Sequence, residues 1–410
     1  MNYRSTIIAA TILISTVWAS HAYEPTWLPG GDDVKAAVSA RRGKTELSKL
    51  ALSMKPGTWA TLKVEKSTAE DEVITREDWP GHQLVIPHRH VFKSPLLDGG
   101  RNNKGLGGLH IAGWSDNAFW DSRTGQLLYM GLRQTRRFVA FSEEANAWRT
   151  MDIDPLSDNP VWFQKFGHIY GTSGFDPERS RFYHTYRDFK NSKFDLDLKG
   201  GFSWYDVVSG KWTKLPPSIG GSMSVEYFTA MDGLVVLRKE MVFFSHERQA
   251  WEKMNNGESP VDGYHSLFRH NPMLQEVLMA GGNRSPKVVA RLTKEGKIER
   301  LKNFPGKSLS IKLDHVMIDP ASGRYLICDA VKEGKKTIRN LYEFDSRTNQ
   351  YRLVPPFTEG WPFGKYGMPV SASIPEYGVT IWGEGGNIHL YKHDASADYP
   401  VVEPETKAGE

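Results

Sequence analysis

The chain has 410 residues, of which 24% are charged, 39% hydrophobic and 12% aromatic, and its formal net charge is +4. This is the composition of a globular protein with enough apolar residues for an extensive core. The basic residues are scattered along the sequence, so no nucleic-acid partner is expected. The small positive charge allows only a mild attraction to an anionic ligand.

Residues 1–22 have the pattern of a secretory signal peptide. Arg4 supplies the positive start, residues 7–17 form an apolar segment, and residues 20–22 form a small-x-small cleavage site. Cleavage after Ala22 predicts a secreted or periplasmic protein. The apolar segment is too short to span a bilayer and no later run is longer, so we expect no membrane partner.

Cys328 is the only cysteine, so an intrachain disulfide is excluded. It lies in the apolar run RYLICDA, which predicts a buried structural thiol. Pro87 to His90 read PHRH, but two histidines one residue apart without a third ligand predict a solvent-facing segment. No cofactor is expected to be required, and a structural Ca or Zn ion is left open.

One stretch near the N-terminus has helical periodicity. Apolar residues recur at spacings near 3.6 over residues 32–54, and the pattern changes to strands after Pro56. The predicted organisation is therefore an N-terminal helical extension over 23–56, a catalytic β-propeller domain over 57–396 and a flexible tail over 397–410.

A four-stranded unit recurs along the rest of the chain. Residues 167–216 give the clearest copy, in which Asp176-Pro177 and Ser209-Gly210 are turns between aromatic or alternating runs. Similar units cover residues 118–152, 226–254, 266–303, 315–356 and 371–394. Such a period predicts an all-β fold in which each unit is one blade of a β-propeller.

The last unit lacks its outermost strand. Residues 57–64 (GTWATLKV) resemble that strand, and closing the ring with a strand from the N-terminal side would leave no open sheet edge. Residues 65–108 fit the repeat poorly and are either a degenerate seventh blade or a loop over one face. Six blades are visible, and we expect seven.

The units resemble kelch-type blades. In that family a glycine pair follows the second strand and a tryptophan lies in the fourth. Gly281-Gly282 and Gly385-Gly386 correspond to the glycine pair, and the aromatic positions are Trp148, Trp212, Trp251 and Tyr351. The resemblance covers most of the chain and implies a fold more than a function.

Polar residues are expected to converge at one end of the propeller channel. The start of a first strand and the end of a second strand lie at the same face. This places His168 and His184 beside Tyr227 and Arg238 from the next blade. Further candidates for this funnel are His110, Asn117, Tyr170, Tyr264, His265, Arg269, His270, Asp314 and His315.

These residue types favour β-elimination on an anionic polysaccharide. An arginine can pair with a uronate carboxylate and so acidify the C5 proton, because the same charge stabilises the developing enolate. A histidine or tyrosine can then remove that proton while another protonates the leaving oxygen. No carboxylate pair is needed, in contrast to glycoside hydrolysis.

This set resembles that of the propeller-type polysaccharide lyases, of which the ulvan lyases are examples. That family takes two histidines from one blade and a tyrosine and an arginine from the next, and His168, His184, Tyr227 and Arg238 follow that order. The resemblance implies a secreted lyase, here expected to be a monomer. Arg238 would neutralise the uronate, and a histidine or the tyrosine would act as base and acid.

Two alternatives stay open. A kelch-like module could bind a glycan or a protein without catalysis. A glycoside hydrolase would need two carboxylates in the funnel, for which Glu226 and Asp314 are the candidates.

Overall fold

The structure, a computed structural model, describes residues 23–65, 118–131, 137–151, 171–186, 189–191, 196–198, 201–216, 224–237, 240–254, 256, 258–262, 264–311, 314–333, 336–354, 361–363, 369–384 and 387–404. These residues form two short helices and an all-β propeller. The predicted signal peptide over 1–22 lies outside the described residues.

The N-terminal extension contains two helices where the sequence predicted one. These are α1 (Asp32–Arg41) and α2 (Glu46–Ser53). Gly43 between them has φ +71°, which no α-helix contains and which glycine adopts without strain. The side chain of Thr45 then caps α2 by accepting a hydrogen bond from the backbone amide of Ser48.

Six antiparallel sheets form the blades, each described here from its innermost strand outward. Blade one is β2 (Ala118–Asp121), β3 (Gln126–Gly131), β4 (Arg137–Ser142) and β5 (Ala147–Thr150). Blade two is β6 (Ser173–Asp176), β7 (Arg181–Tyr186), β10 (Gly201–Asp206) and β11 (Lys211–Lys214), and a hairpin of β8 (Phe189–Asn191) and β9 (Leu196–Leu198) lies between β7 and β10 in the chain. Blade three is β12 (Ser224–Phe228), β13 (Gly233–Leu237), β14 (Met241–Ser245) and β15 (Ala250–Lys253).

The remaining blades include strands from both ends of the chain. Blade four is β16 (Ser266–Asn271), β17 (Glu276–Gly281), β18 (Val289–Thr293) and β19 (Ile298–Arg300). Blade five is β20 (His315–Ile318), β21 (Tyr325–Glu333), β22 (Lys336–Asp345), β23 (Gln350–Val354) and β27 (Val401–Val402). Blade six is β24 (Val370–Ile374), β25 (Val379–Glu384), β26 (Asn387–Lys392) and β1 (Thr58–Leu62).

The turn from the first to the second strand follows one pattern. In blade two the carboxylate of Asp176 accepts hydrogen bonds from the amides of Glu178 and Arg179, which is an Asx turn. The last residue of the turn is left-handed in every blade: Gly125, Ser180, Asp232, Gln275, Gly323 and Gly378. Proline follows the first strand in four blades: Pro177, Pro272, Pro320 and Pro375. The sheets are thus defined by local turn chemistry.

The predicted ring closure is confirmed. β1 pairs with β26 over its whole length, from Thr58 opposite Lys392 to Leu62 opposite Ile388. The innermost strand of blade six, β24, also contacts β2 of blade one directly, so no further blade separates those two sheets. The described residues form six blades. A seventh is not among them, and nearly all of the stretch assigned to it, 65–108, lies outside the described residues.

Apolar side chains fill each interface between neighbouring blades. Between blades one and two, for example, Phe119 stacks on Phe175 and Phe138 packs on Phe182. At the interface of blades six and one, Leu47 and Ala51 of α2 join the same core. The helical extension is therefore part of the folded body.

The C-terminal segment predicted to be a flexible tail is in part an ordered strand. Val401 and Val402 pair with Arg352 and Tyr351, which makes β27 the outer edge of blade five. The sequence did not indicate this strand because two residues are too few for an alternating pattern.

Candidate functional site

All six innermost strands enclose a central cavity of about 110 Å³. Its walls are mainly aromatic and aliphatic, with Phe119, Trp120 and Phe175 on one side and Val316, Met317 and Ile318 on the other. The four turn prolines also line it, so the cavity lies at the end of the channel where first strands turn into second strands. This is the end opposite to the funnel expected from the sequence.

Two ionisable residues of opposite type line this mainly apolar cavity. Glu226 in β12 is 3% exposed, and Arg269 in the adjacent β16 is 8% exposed. Nε of Arg269 donates a hydrogen bond to the carbonyl oxygen of Val316 at 2.9 Å. The guanidinium carbon lies 5.7 Å from the ring centroid of Phe119, within the range of a cation–π interaction. A buried cation and a buried carboxylate are thus held on neighbouring strands.

His270 is a third polar residue of the cavity. Its Nε2 lies 3.0 Å from Oγ1 of Thr229. Burial, followed by the charge of Arg269, lowers the pKa of His270 to about 3. The imidazole is therefore neutral at neutral pH and adds hydrogen-bonding capacity without charge.

An N-terminal strap, residues 23–30, lies at the mouth of the cavity. The hydroxyl of Tyr23 donates to the carbonyl oxygen of Pro320 in blade five at 3.2 Å. Trp27 and Pro29 line the cavity itself, and a Cβ added at Gly30 would lie 3.5 Å from the carbonyl oxygen of Glu178 in blade two. The strap therefore extends from the turn of blade five to the turn of blade two.

His184 lies in the interior of a blade interface and not in the cavity. It is 1% exposed, and its Nδ1 lies 2.9 Å from Oγ of Ser173 in the neighbouring strand. The two residues before it in β7, Phe182 and Tyr183, pack against blades one and three respectively. His184 has the same parity as Phe182, so it faces blade one.

Tyr227 lies near the end of the first strand of blade three, where the sequence placed it at the start. Its hydroxyl donates to Oδ1 of Asp232 at 2.6 Å and accepts a hydrogen bond from Arg179 at 2.7 Å. Tyr227 is 1% exposed and stacks on Tyr183, on the face of blade two opposite to His184. The structure does not bring His184 and Tyr227 to a common site.

The other predicted residues are divided between described and undescribed parts of the chain. His168 and Arg238, the other members of the catalytic set, lie outside the described residues, as do His110, Asn117 and Tyr170. Of the described substrate-binding candidates, Arg269 lines the cavity, and Tyr264, His265 and His315 do not.

Tyr264, His265 and His315 lie at the funnel end, and their side chains contact neighbouring residues of the fold. The rings of Tyr264 and His265 are 3.9 Å apart, and Nδ1 of His265 lies 2.7 Å from Oδ1 of Asn283. Nδ1 of His315 lies 3.3 Å from Oγ of Ser371. Burial, followed by Arg339 and Arg269, lowers the pKa of His315 to about 3, so it is neutral at neutral pH.

The two carboxylates named for a glycoside hydrolase are not in one cavity. Glu226 lines the central cavity, whereas Asp314 lies before β20 and accepts hydrogen bonds from the amides of Ser310 and Ala330. Burial raises the pKa of Asp314 to about 7. The local partners of Asp314 indicate a role in the turn before blade five.

Sequence reasoning missed a polar cluster around Arg179 at the interface of blades two and three. The Arg179 guanidinium, 40% exposed, pairs with Asp176 at 3.0 Å and with Asp232 at 2.7 Å. Burial and the nearby carboxylates raise the pKa of Tyr227, so its hydroxyl stays protonated at neutral pH and the phenolate that would act as a base is not populated. Arg179 and Asp232 lie in equivalent turns of neighbouring blades, and this shared position in the repeat was the sequence signal that could have predicted their contact.

Sequence reasoning also missed the anchor of the helical extension. Arg41 of α1 pairs with Glu143 at 3.0 Å and lies 3.8 Å from Glu376. Glu376 accepts hydrogen bonds from Nε1 of Trp120 and Oγ of Ser122, both at 2.8 Å. Burial raises the pKa of Glu376 to about 7.

Neither a metal site nor a membrane span is found in the described residues. They contain no group of three or more histidine, cysteine, aspartate or glutamate side chains placed to hold a metal ion. Neither of the two described helices has the length and apolar character needed to cross a bilayer. A structural Ca or Zn ion, which the sequence left open, stays open.

No protein-family model matches the chain, and no curated protein matches it. Similar solved structures include a structural genomics protein of unknown function from Bacteroides thetaiotaomicron, at 14% identity and a TM-score of 0.45, over 66% of this chain and 67% of that one. Another is the extracellular domain of a hybrid two-component system from the same organism, at 10% identity and a TM-score of 0.38, over 67% of this chain and 33% of that one. No function follows from similarities this low.

Proposed function

We propose that this protein is a binding propeller whose central cavity takes one sugar-acid residue, with the ligand carboxylate on Arg269. The observation that carries the proposal is an arginine, Arg269, that is only 8% exposed and lines a mainly apolar cavity. Guanidinium groups bind carboxylates through paired, charge-assisted hydrogen bonds, and these are stronger where water is excluded.

The other cavity residues suit the rest of a sugar acid. A carboxylate such as Glu226 accepts hydrogen bonds from sugar hydroxyls. The side chains of Phe119, Trp120 and Phe175 offer apolar surface to the C–H groups of a sugar ring. His270, neutral at neutral pH, adds no charge that would compete for the carboxylate.

The volume favours a small ligand. Pockets for drug-sized molecules measure roughly 300–1,000 Å³. A cavity of about 110 Å³ is smaller than these, so we propose that it holds a single residue, free or at the end of a chain, rather than the middle of a polymer.

The lyase reaction predicted from the sequence stays a prediction. It requires His168 and Arg238, which lie outside the described residues, together with His184 and Tyr227, which face opposite sides of blade two. We therefore favour binding without catalysis, the alternative that the sequence left open.

A thermal unfolding screen tests the proposed function. Glucuronate and galacturonate, each at about 10 mM, should raise the unfolding midpoint, because a ligand that binds only the folded state stabilises it. Glucose and galactose at the same concentration serve as neutral controls and should have little effect. Equal shifts with neutral sugars, or no shift with any sugar acid, would contradict the proposal. Ultraviolet-absorbing unsaturated product from a uronate polymer would support the lyase instead.

A further inference from the structure

We propose that Trp27 is a ligand-contacting residue and that the N-terminal strap closes the cavity mouth over the ligand. This inference rests in part on the proposed function, since it assumes that the central cavity is the binding site. Among the described residues that line the central cavity, Trp27 and Pro29 are the two that do not belong to a blade.

The strap is held on both sides of the mouth. Tyr23 bonds to Pro320 of blade five, and its carbonyl oxygen accepts a hydrogen bond from Arg42. At the other end, Gly30 has φ +80°, and an added Cβ there would come within 2.6 Å of the Val34 side chain. The chain can turn sharply into α1 at that point because the residue is glycine.

The contacts of the strap are weaker than those of the helices that follow it. Within the described part of the chain, residues 23–30 make no backbone–backbone hydrogen bond, whereas α2 is packed into the core through Leu47 and Ala51. A segment held mainly by side chains opens at a lower free energy than one held by a hydrogen-bonded ladder. The strap can therefore open while the helices stay docked.

Two prolines restrict the backbone on either side of Trp27. Pro25 and Pro29 lie two residues on either side of it. Proline fixes φ near −65°, which reduces the conformational freedom that the strap would lose on closing. Trp27 itself is part-buried, so its indole offers a large aromatic face at the cavity mouth for stacking on a sugar ring.

A cysteine-labelling experiment tests the strap without any ligand. Ala372 lines the cavity and is replaced by cysteine, and the rate of reaction with iodoacetamide is measured in the full chain. The native Cys328 is fully buried and burial raises its thiol pKa to about 12, so its background reaction is slow. Val208→Cys, at a position that is 60% exposed, reports labelling of an open site.

The expected result is slow labelling of Ala372→Cys and a rate at least about tenfold higher when Trp27→Ala is added, which corresponds to about 1.4 kcal/mol. The rate for Val208→Cys should not change with Trp27→Ala. The strap proposal would be overturned if Ala372→Cys reacted as fast as Val208→Cys with Trp27 present. It would equally be overturned if Trp27→Ala left the rate at Ala372→Cys unchanged.

A second measurement uses glucuronate as the probe. Its affinity should fall about tenfold in Trp27→Ala, which corresponds to about 1.4 kcal/mol, because the variant lacks the aromatic face on which the sugar ring stacks. If glucuronate does not bind the unmodified chain but labelling responds to Trp27→Ala, the proposed function fails and the strap stands. If glucuronate binds and Trp27→Ala changes neither its affinity nor labelling, the strap fails and the proposed function stands.

Discussion

Tyr183 and Tyr227 stack face to face across the interface of blades two and three, with ring centroids 5.6 Å apart and planes at 4°. Their hydroxyls have different partners. That of Tyr183 lies 2.8 Å from Nε2 of His246, and that of Tyr227 bonds to Asp232 and Arg179. The pair joins two blades through ring contact and through hydrogen bonds, which is a structural role.

Tyr227→Phe should therefore destabilise the fold without affecting the cavity. The change leaves Asp232 and Arg179 without a hydroxyl partner, and we expect a loss of about 1–2 kcal/mol in the free energy of unfolding. Chemical denaturation measures it. Tyr342→Phe is the matched control, because its hydroxyl has no hydrogen bond to the described residues and a loss below about 0.5 kcal/mol is expected. A loss of uronate-polymer cleavage in Tyr227→Phe with unchanged stability would instead support the lyase.

Glu376 should make stability depend on pH. Its pKa is raised by burial to about 7 from a usual value of 4.5, so its folded form holds a proton more tightly than the unfolded chain. This contribution to stability is fully present below pH 4.5 and is lost as the pH rises through 7. Glutamine cannot ionise. As the pH rises, the free energy of unfolding should therefore fall by roughly 1–3 kcal/mol less in Glu376→Gln than in the unmodified chain.

The readout is the difference in unfolding free energy between Glu376→Gln and the unmodified chain from pH 4.5 to 8. That difference should grow with pH in favour of the glutamine variant. Asp314, with a pKa of about 7, titrates in both proteins and cancels in the difference. Glu46→Gln on the exposed face of α2 is the control and should give a flat difference. A flat difference for Glu376→Gln would refute this prediction.

Arg41 should be a major anchor of the helical extension. Its guanidinium pairs with the fully buried carboxylate of Glu143, which also accepts hydrogen bonds from Thr45 and Tyr377 at 2.6 Å. Removing one partner of a buried pair leaves the other charge uncompensated, so Arg41→Met should cost about 3–5 kcal/mol. Lys49→Met breaks only an exposed pair with Glu46 and should cost less than about 1 kcal/mol. Equal effects of the two changes in denaturation would contradict this account.

The blades could be predicted from the sequence because their signals are local. Asp176-Pro177 and the turns like it specify where strands end, and the alternation between turns specifies which residues are buried. The closing strand β1 was also predictable, since its sequence resembles the outer strands of other blades. The number of blades was less predictable, because the contact of β24 with β2, which brings blade six against blade one, joins residues far apart in the sequence.

The site could not be predicted to the same extent, because it depends on long-range placement. Tyr227 was assigned to the start of a strand, but β12 begins at Ser224, and this shift moves its hydroxyl to the opposite end of the blade. Trp27 precedes the first strand by about thirty residues in the sequence, and no local pattern indicates that it reaches the channel. Arg269 was assigned to the funnel, but it lies near the end of β16 and lines the cavity at the opposite end of the channel.

The most direct test of the central claim is calorimetric titration of glucuronate into the unmodified chain and into Arg269→Met. The account predicts binding to the unmodified chain and an affinity lower by roughly 10–100-fold in Arg269→Met, the usual cost of losing hydrogen bonds to a charged group. Arg248→Met, at an exposed pair with Glu252, should leave the affinity unchanged. Equal affinity for Arg269→Met and the unmodified chain, with both variants folded, would contradict the account.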